Sequence, residues 1–132
     1  MITERPTKTY VLKRSGSRPL KFSGRLISSV EGRFSAGKEQ TRYFDLSLYR
    51  TADGKFVVQV EYTTCWQDEQ CRSYCDTGED GGVLEMLLWE AWEECIGGSR
   101  FTSSPDKIDT LRGRYKNAIS ELLSHEEFAE QI

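Results

Sequence analysis

The hydrophobic period changes once along this chain, and that change restricts the folds open to it. Phe44, Leu46 and Leu48 alternate with Tyr43, Asp45, Ser47 and Tyr49, and Phe56, Val58, Val60 and Tyr62 alternate with Val57, Gln59 and Glu61. A period of two marks half-buried strands. Thr51, Ala52, Asp53 and Gly54 lie between the two runs, and an Asp-Gly pair suits a turn that needs positive φ, so the runs predict an antiparallel hairpin. Further on, Leu84, Leu87, Leu88, Ala91, Trp92 and Cys95 recur at helical spacing up to Gly97 and Gly98. That is one apolar helix face with a glycine stop, suited to covering a sheet.

The flanking segments extend the same division. Residues 9–14 read as an edge strand, 15–19 as a loop, and Leu20 and Phe22 alternate with Lys21, Ser23 and Arg25. Residues 70–76 read as a returning strand, and the glycine-rich stretch 78–82 closes the β region. Ser104, Pro105 and Asp106 combine a cap, a preset first residue and an acid at the positive end of a helix dipole. Ile108, Leu111, Tyr115, Ala118, Ile119 and Leu122 then form a buried stripe, and Ser124 with Glu127 fits a capping box for a short terminal helix carrying Phe128. The expected fold is α+β: an antiparallel meander sheet of four or five strands followed by two or three C-terminal helices packed on it. With 132 residues and 37% hydrophobic content, the chain suits one core and is too short for two. A single domain over 1–132 is expected, mainly β in 1–78 and mainly α in 79–132.

Charge is distributed unevenly. Residues 1–42 carry ten Lys/Arg against three acids, a net +7, whereas residues 43–132 carry eight against eighteen, a net −10. Such an asymmetry speaks to partners and association rates rather than to fold. No secretory signal is read in the first ten residues. The apolar run from Met86 to Trp89 is hemmed by Glu85 and Glu90 and is too short to span a bilayer. A cytoplasmic protein without a membrane partner is therefore expected.

The chemistry-bearing residues do not assemble into a catalytic pattern. Gly32, Gly37 and Lys38 imitate a phosphate-binding loop, but Glu39 stands where a Ser/Thr hydroxyl would hold Mg²⁺, and the loop joins two strands instead of opening a helix. The single histidine, His125, sits beside Glu126 and Glu127 and reads as an exposed helix-start residue rather than a general base. Cys65, Cys71, Cys75 and Cys95 lack close C-x2-C knuckles, so free thiols are the preferred reading over a zinc site or a Cys65 to Cys71 disulfide. The expectation is a non-catalytic protein without cofactor or metal.

Two surface readings remain. Met86 and Trp89 project away from the main helix stripe, rimmed by Glu85, Glu90 and Glu93, with Glu79 and Asp80 just before the helix. An aromatic anchor inside a polar rim has the make-up of a binding hot spot or a self-association patch. A second helix of the same chain is the plain structural alternative for covering it. The competing partner is nucleic acid, through Lys21, Arg25, Arg42, Tyr43 and Tyr49, because basic residues interleaved with aromatics hold phosphates and stack bases. The overall charge of −3 opposes it.

The hairpin sequence from Tyr49 through Arg50, Thr51, Ala52, Asp53, Gly54, Lys55, Phe56, Val57 and Val58, continuing to Trp66, resembles small uncharacterised bacterial proteins carried by plasmids and phages. The resemblance implies an accessory or counter-defence protein that binds a host macromolecule. Together with the acidic C-terminal part, it makes the expected function stoichiometric inhibition of a host protein with a basic surface.

Overall fold

A computed structural model describes residues 7–32, 42–64, 70–97 and 105–124. The phosphate-loop imitation from Arg33 onward, Cys65, Trp66, His125 and the terminal capping box beyond Ser124 lie outside the described residues. Five strands, β1 (Lys8–Leu12), β2 (Leu20–Glu31), β3 (Arg42–Thr51), β4 (Phe56–Thr64) and β5 (Arg72–Gly78), form one sheet in sequence order, each antiparallel to its neighbour. Helix α1 (Gly81–Trp92) continues into a π-helical turn, Glu93–Gly97, and helix α2 (Pro105–Leu122) follows. The chain is thus α+β, with its helices after an antiparallel sheet.

The expected β3–β4 hairpin is present. Gly54 takes φ +90 at the turn, a conformation that glycine adopts without a Cβ penalty. The Thr51 N–H donates to Lys55 O at 2.8 Å, and the Lys55 N–H donates to the Thr51 hydroxyl oxygen at 2.9 Å. In register, Leu46 faces Val60, Leu48 faces Val58 and Phe44 faces Tyr62. Helices α1 and α2 cover this side, called here the helix face: α1 lies on β4 and β5, and α2 on β2 and β3. The main core forms between them, including the whole stripe from Leu84 to Cys95 and Leu111, Tyr115, Ala118, Ile119 and Leu122 of α2.

A second cluster occupies the opposite face. Leu12, Tyr49, Val57 and Cys75 are buried there, with Tyr10, Leu20, Phe22 and Leu26 packed against them. Tyr10 and Phe22 lie 4.8 and 5.5 Å from Tyr49, centroid to centroid. The sheet curls around this cluster far enough for its two edges to meet at one point: the Ser15 N–H donates to Ser73 O at 2.7 Å, and the Ser73 N–H donates to Ser15 Oγ at 2.9 Å. Period-two alternation distinguishes two faces without saying how many are buried, and here each has a core of its own.

A register shift between Leu26 and Ser28 marks a bulge in β2. The extra residue lets Leu26 pack into the concave cluster while Ile27 packs into the main core. It also exchanges the parities of the two halves of β2, which decides where the basic side chains point.

Candidate functional site

Asp80 starts α1 with extended backbone, φ −146 and ψ 172, and its carboxylate Oδ1 accepts the Val83 N–H at 2.9 Å. This is N-cap geometry, satisfying one of the donors left open in a first helical turn. Asp80 therefore has a structural task that explains its presence. Asp80→Ala is expected to cost about 1 kcal/mol of stability, within a range of about 0.5–2, read as a lowered urea midpoint.

Beyond the cap, α1 presents an acidic outer side. Glu85 and Glu90 of α1, Glu93 and Glu94 of the π turn and Glu79 just before the cap are exposed, and Met86 is 54% exposed. From Ser73 to Ser99 the sequence holds seven Asp/Glu and no Lys, Arg or His. Glu93 and Glu94 occupy the closing π turn, the end of the helix where backbone carbonyls already concentrate negative charge. Each carboxylate there costs a few tenths to about 1 kcal/mol at low salt. The Arg72 side chain reaches this turn, but its Nη1 donates to the Glu94 main-chain carbonyl at 3.2 Å. Burial first, then the charges of Asp76, Glu90 and Glu94, push the Tyr74 hydroxyl well above its ordinary range. The acids of β5, α1 and the π turn thus bear on one half-buried phenol.

Trp89 is only partly available to a partner. It is half-buried against the main core, edge-on to Tyr115 at 5.4 Å and to Trp92 at 6.3 Å. The Arg112 guanidinium of α2 sits 5.4 Å from its ring centroid, a cation–π arrangement. Helix α2 is therefore the neighbour that the second apolar side of α1 acquires. The patch read as Met86 plus Trp89 reduces to an exposed Met86 with Trp89 at its edge.

The set proposed for nucleic acid does not converge. Tyr49 is 7% exposed and lies inside the concave cluster, and Arg42 is also 7% exposed. Tyr49, on the parity alternate to Phe44 and Leu46, is not outward because the curl of the sheet buries it, and Arg42 stands on the helix-face parity with Phe44. Arg25 pairs with Arg50 on the helix face, whereas Tyr43 and Tyr49 belong to the alternate parity of β3. The bulge leaves Lys21 and Arg25 on one face of the sheet and the two tyrosines on the other.

The cysteines divide similarly. Cys75 is buried in the concave cluster and Cys95 in the main core, so the sheet lies between them, while Cys71 is exposed. Burial pushes the Cys75 thiol up to about 11 and the Cys95 thiol up to about 12, away from the thiolate form that nucleophiles and metal ligands require. Among the described residues, no group of three or more His, Cys, Asp or Glu is placed to hold a metal ion.

One acidic feature escaped the sequence reading. Glu31 pairs with Asp45 and Asp45 with Glu61, placing three carboxylates in one cross-strand row on the concave face. The Gly32 N–H donates to Asp45 Oδ1 at 3.0 Å, and the Ser73 hydroxyl donates to Glu61 Oε2 at 2.7 Å. Only the register reveals the row, because the three residues are fourteen and sixteen positions apart in sequence. Comparison with known proteins returns no matching family model, no matching curated protein and no matching solved structure. No helix among the described residues is long and apolar enough to cross a membrane.

Proposed function

We propose that this protein acts without catalysis, by binding a host protein that presents a basic surface, and that the outer side of α1 is its contact. The sheet, taken as a simple up-and-down meander, and α2 serve as the platform that holds this helix. The observation that carries the reading is the exposure of Glu90, Glu93 and Glu94 around Met86, at a helix end whose dipole opposes them. A cationic partner converts that local penalty into an attraction, and the exposed methionine supplies an adaptable apolar contact within the polar rim. On the resemblance of the hairpin, such a protein fits an accessory or counter-defence role carried by a phage or plasmid. A natural target is the basic channel of a nucleic-acid-processing enzyme, where carboxylates take the place of phosphates.

Electrostatic steering makes such an encounter fast and salt-sensitive. Reversing Glu85, Glu90 and Glu93 to lysine is expected to slow association by about tenfold or more at low ionic strength, with a smaller difference at high salt. Stopped-flow or surface-based kinetics against the isolated partner checks it. Asp80 stays unchanged in this variant, since its loss would uncap the helix. An unchanged association rate would remove α1 from the contact.

A further inference from the structure

We infer that the β1–β2 hairpin is a second, independent binding surface, one that lies along the phosphate backbone of a nucleic-acid duplex. Between Thr7 and Val30 the chain holds six basic residues, Lys8, Lys13, Arg14, Arg18, Lys21 and Arg25, and no acid. Lys8, Lys13, Arg18 and Lys21 are exposed, and Arg14 and Arg25 are half-buried. The hairpin's other side is occupied: Tyr10, Leu12, Leu20 and Phe22 turn into the concave cluster. Its solvent side therefore carries Lys21 and the half-buried Arg25 with Thr9, Ser23 and Val11, the last 61% exposed, while Lys8 shares the parity of Tyr10 and Leu12.

Protection of a sheet edge does not account for the arrangement. Charges on an edge strand discourage pairing with another chain, but Lys21 and Arg25 stand on β2, an interior strand between β1 and β3. The tip is also held in shape, since Arg14 Nε donates to Arg18 O at 2.7 Å and the Ser15 N–H bonds to β5. Lys21 and Arg25, four residues apart on one face, are separated by about 13 Å along the strand. The tip cations lie beyond them, giving an extended line of charge instead of a pocket. Helix α1, which carries Glu85 and Glu90 and leads into Glu93 and Glu94, packs on β4 and β5 rather than on β1 and β2.

The inward placement of this hairpin's aromatic rings favours a duplex over a single strand as its ligand. Single strands are held by exposed aromatic rings as well as by charge. The aromatic residues of this hairpin, Tyr10 and Phe22, are stacked on each other at 5.4 Å and turned inward. Phosphate contacts without base contacts bind without sequence preference and with a steep dependence on salt. The surface adds a partner that the α1 reading does not include, and either can fail without the other.

Fluorescence anisotropy with a labelled mixed-sequence DNA duplex of about 20 base pairs, titrated with the purified chain between about 50 and 200 mM salt, tests it. The wild type is expected to bind at the low-salt end, more tightly than it binds the matching single strand. Lys13→Gln/Arg18→Gln/Lys21→Gln is expected to weaken binding by about tenfold or more and to make the salt slope shallower by about 0.9 for each lost contact. Arg14 is retained because it holds the tip. Lys21→Gln alone, at an exposed position, provides the same test on a smaller scale if the triple variant folds poorly, with an unchanged urea midpoint as the control. Glu90→Gln/Glu93→Gln/Glu94→Gln should leave duplex binding equal or tighter. No duplex binding at low salt, a preference for the single strand, or full binding by a folded Lys variant would overturn the inference.

Discussion

Tyr115→Ala is expected to lower stability by about 3–5 kcal/mol, as for other buried aromatics cut back to alanine. Tyr115 is 1% exposed and stands where sheet and both helices meet. Its ring lies 4.6 Å from Phe44, 5.4 Å from Trp89 and 5.3 Å from Trp92, and its hydroxyl donates to the Leu88 carbonyl of α1. Removing the ring opens a cavity bordered by three aromatic residues, which a close-packed core cannot fill by small shifts. Tyr115→Phe keeps the ring and removes one hydrogen bond, so about 1 kcal/mol is expected from it. Urea unfolding of the two variants beside the wild type checks the ranking. Equal losses would mean that the hydroxyl, not the ring, joins α2 to α1.

Gly24→Ala is the other change expected to have a large effect. A Cβ at Gly24 would meet the Arg50 carbonyl oxygen at 2.2 Å, and that oxygen belongs to the backbone of the paired strand β3. Neither strand can yield without disturbing the ladder, so a loss near or above the upper end of the usual 1–3 kcal/mol for overpacking, about 3 kcal/mol, is expected. The damage should concentrate at the β1–β2 hairpin, seen as faster amide exchange in β1 and β2 than in β4. Uniform exchange across the sheet would contradict the local origin of the strain.

The parts of this fold that were legible in the sequence are those set by local pattern. Asp53 and Gly54 placed the β3–β4 turn because a positive φ has a chemical signature. The α1 stripe was readable because Leu84, Leu87, Leu88, Ala91, Trp92 and Cys95 keep helical spacing, and all six are buried. What escaped depends on how distant elements meet. Tyr49 and Val57 have outward parity in the hairpin, yet the curl brings Tyr10, Leu12 and Phe22 over them. The bulge after Leu26 has no residue signature and still decides that Lys21 and Arg25 part from Tyr43 and Tyr49. Trp89 points away from the main stripe as helix geometry requires, but only the path of α2 determines that Arg112 and Tyr115 meet it. The row of Glu31, Asp45 and Glu61 is likewise a product of register.

The carboxylates of α1 link stability and function in opposite directions. If Glu90, Glu93 and Glu94 are kept for a partner, neutralising them should leave the free protein as stable or slightly more stable, because the helix dipole opposes them. The most direct test compares the wild type with Glu90→Gln/Glu93→Gln/Glu94→Gln for capture of a defined host protein from nuclease-treated lysate, at low and high salt, with thermal midpoints measured in parallel. The account predicts capture by the wild type that weakens with salt, a loss of about tenfold or more in the variant, and a midpoint that is unchanged or raised. Equal capture by both proteins at low salt would contradict it.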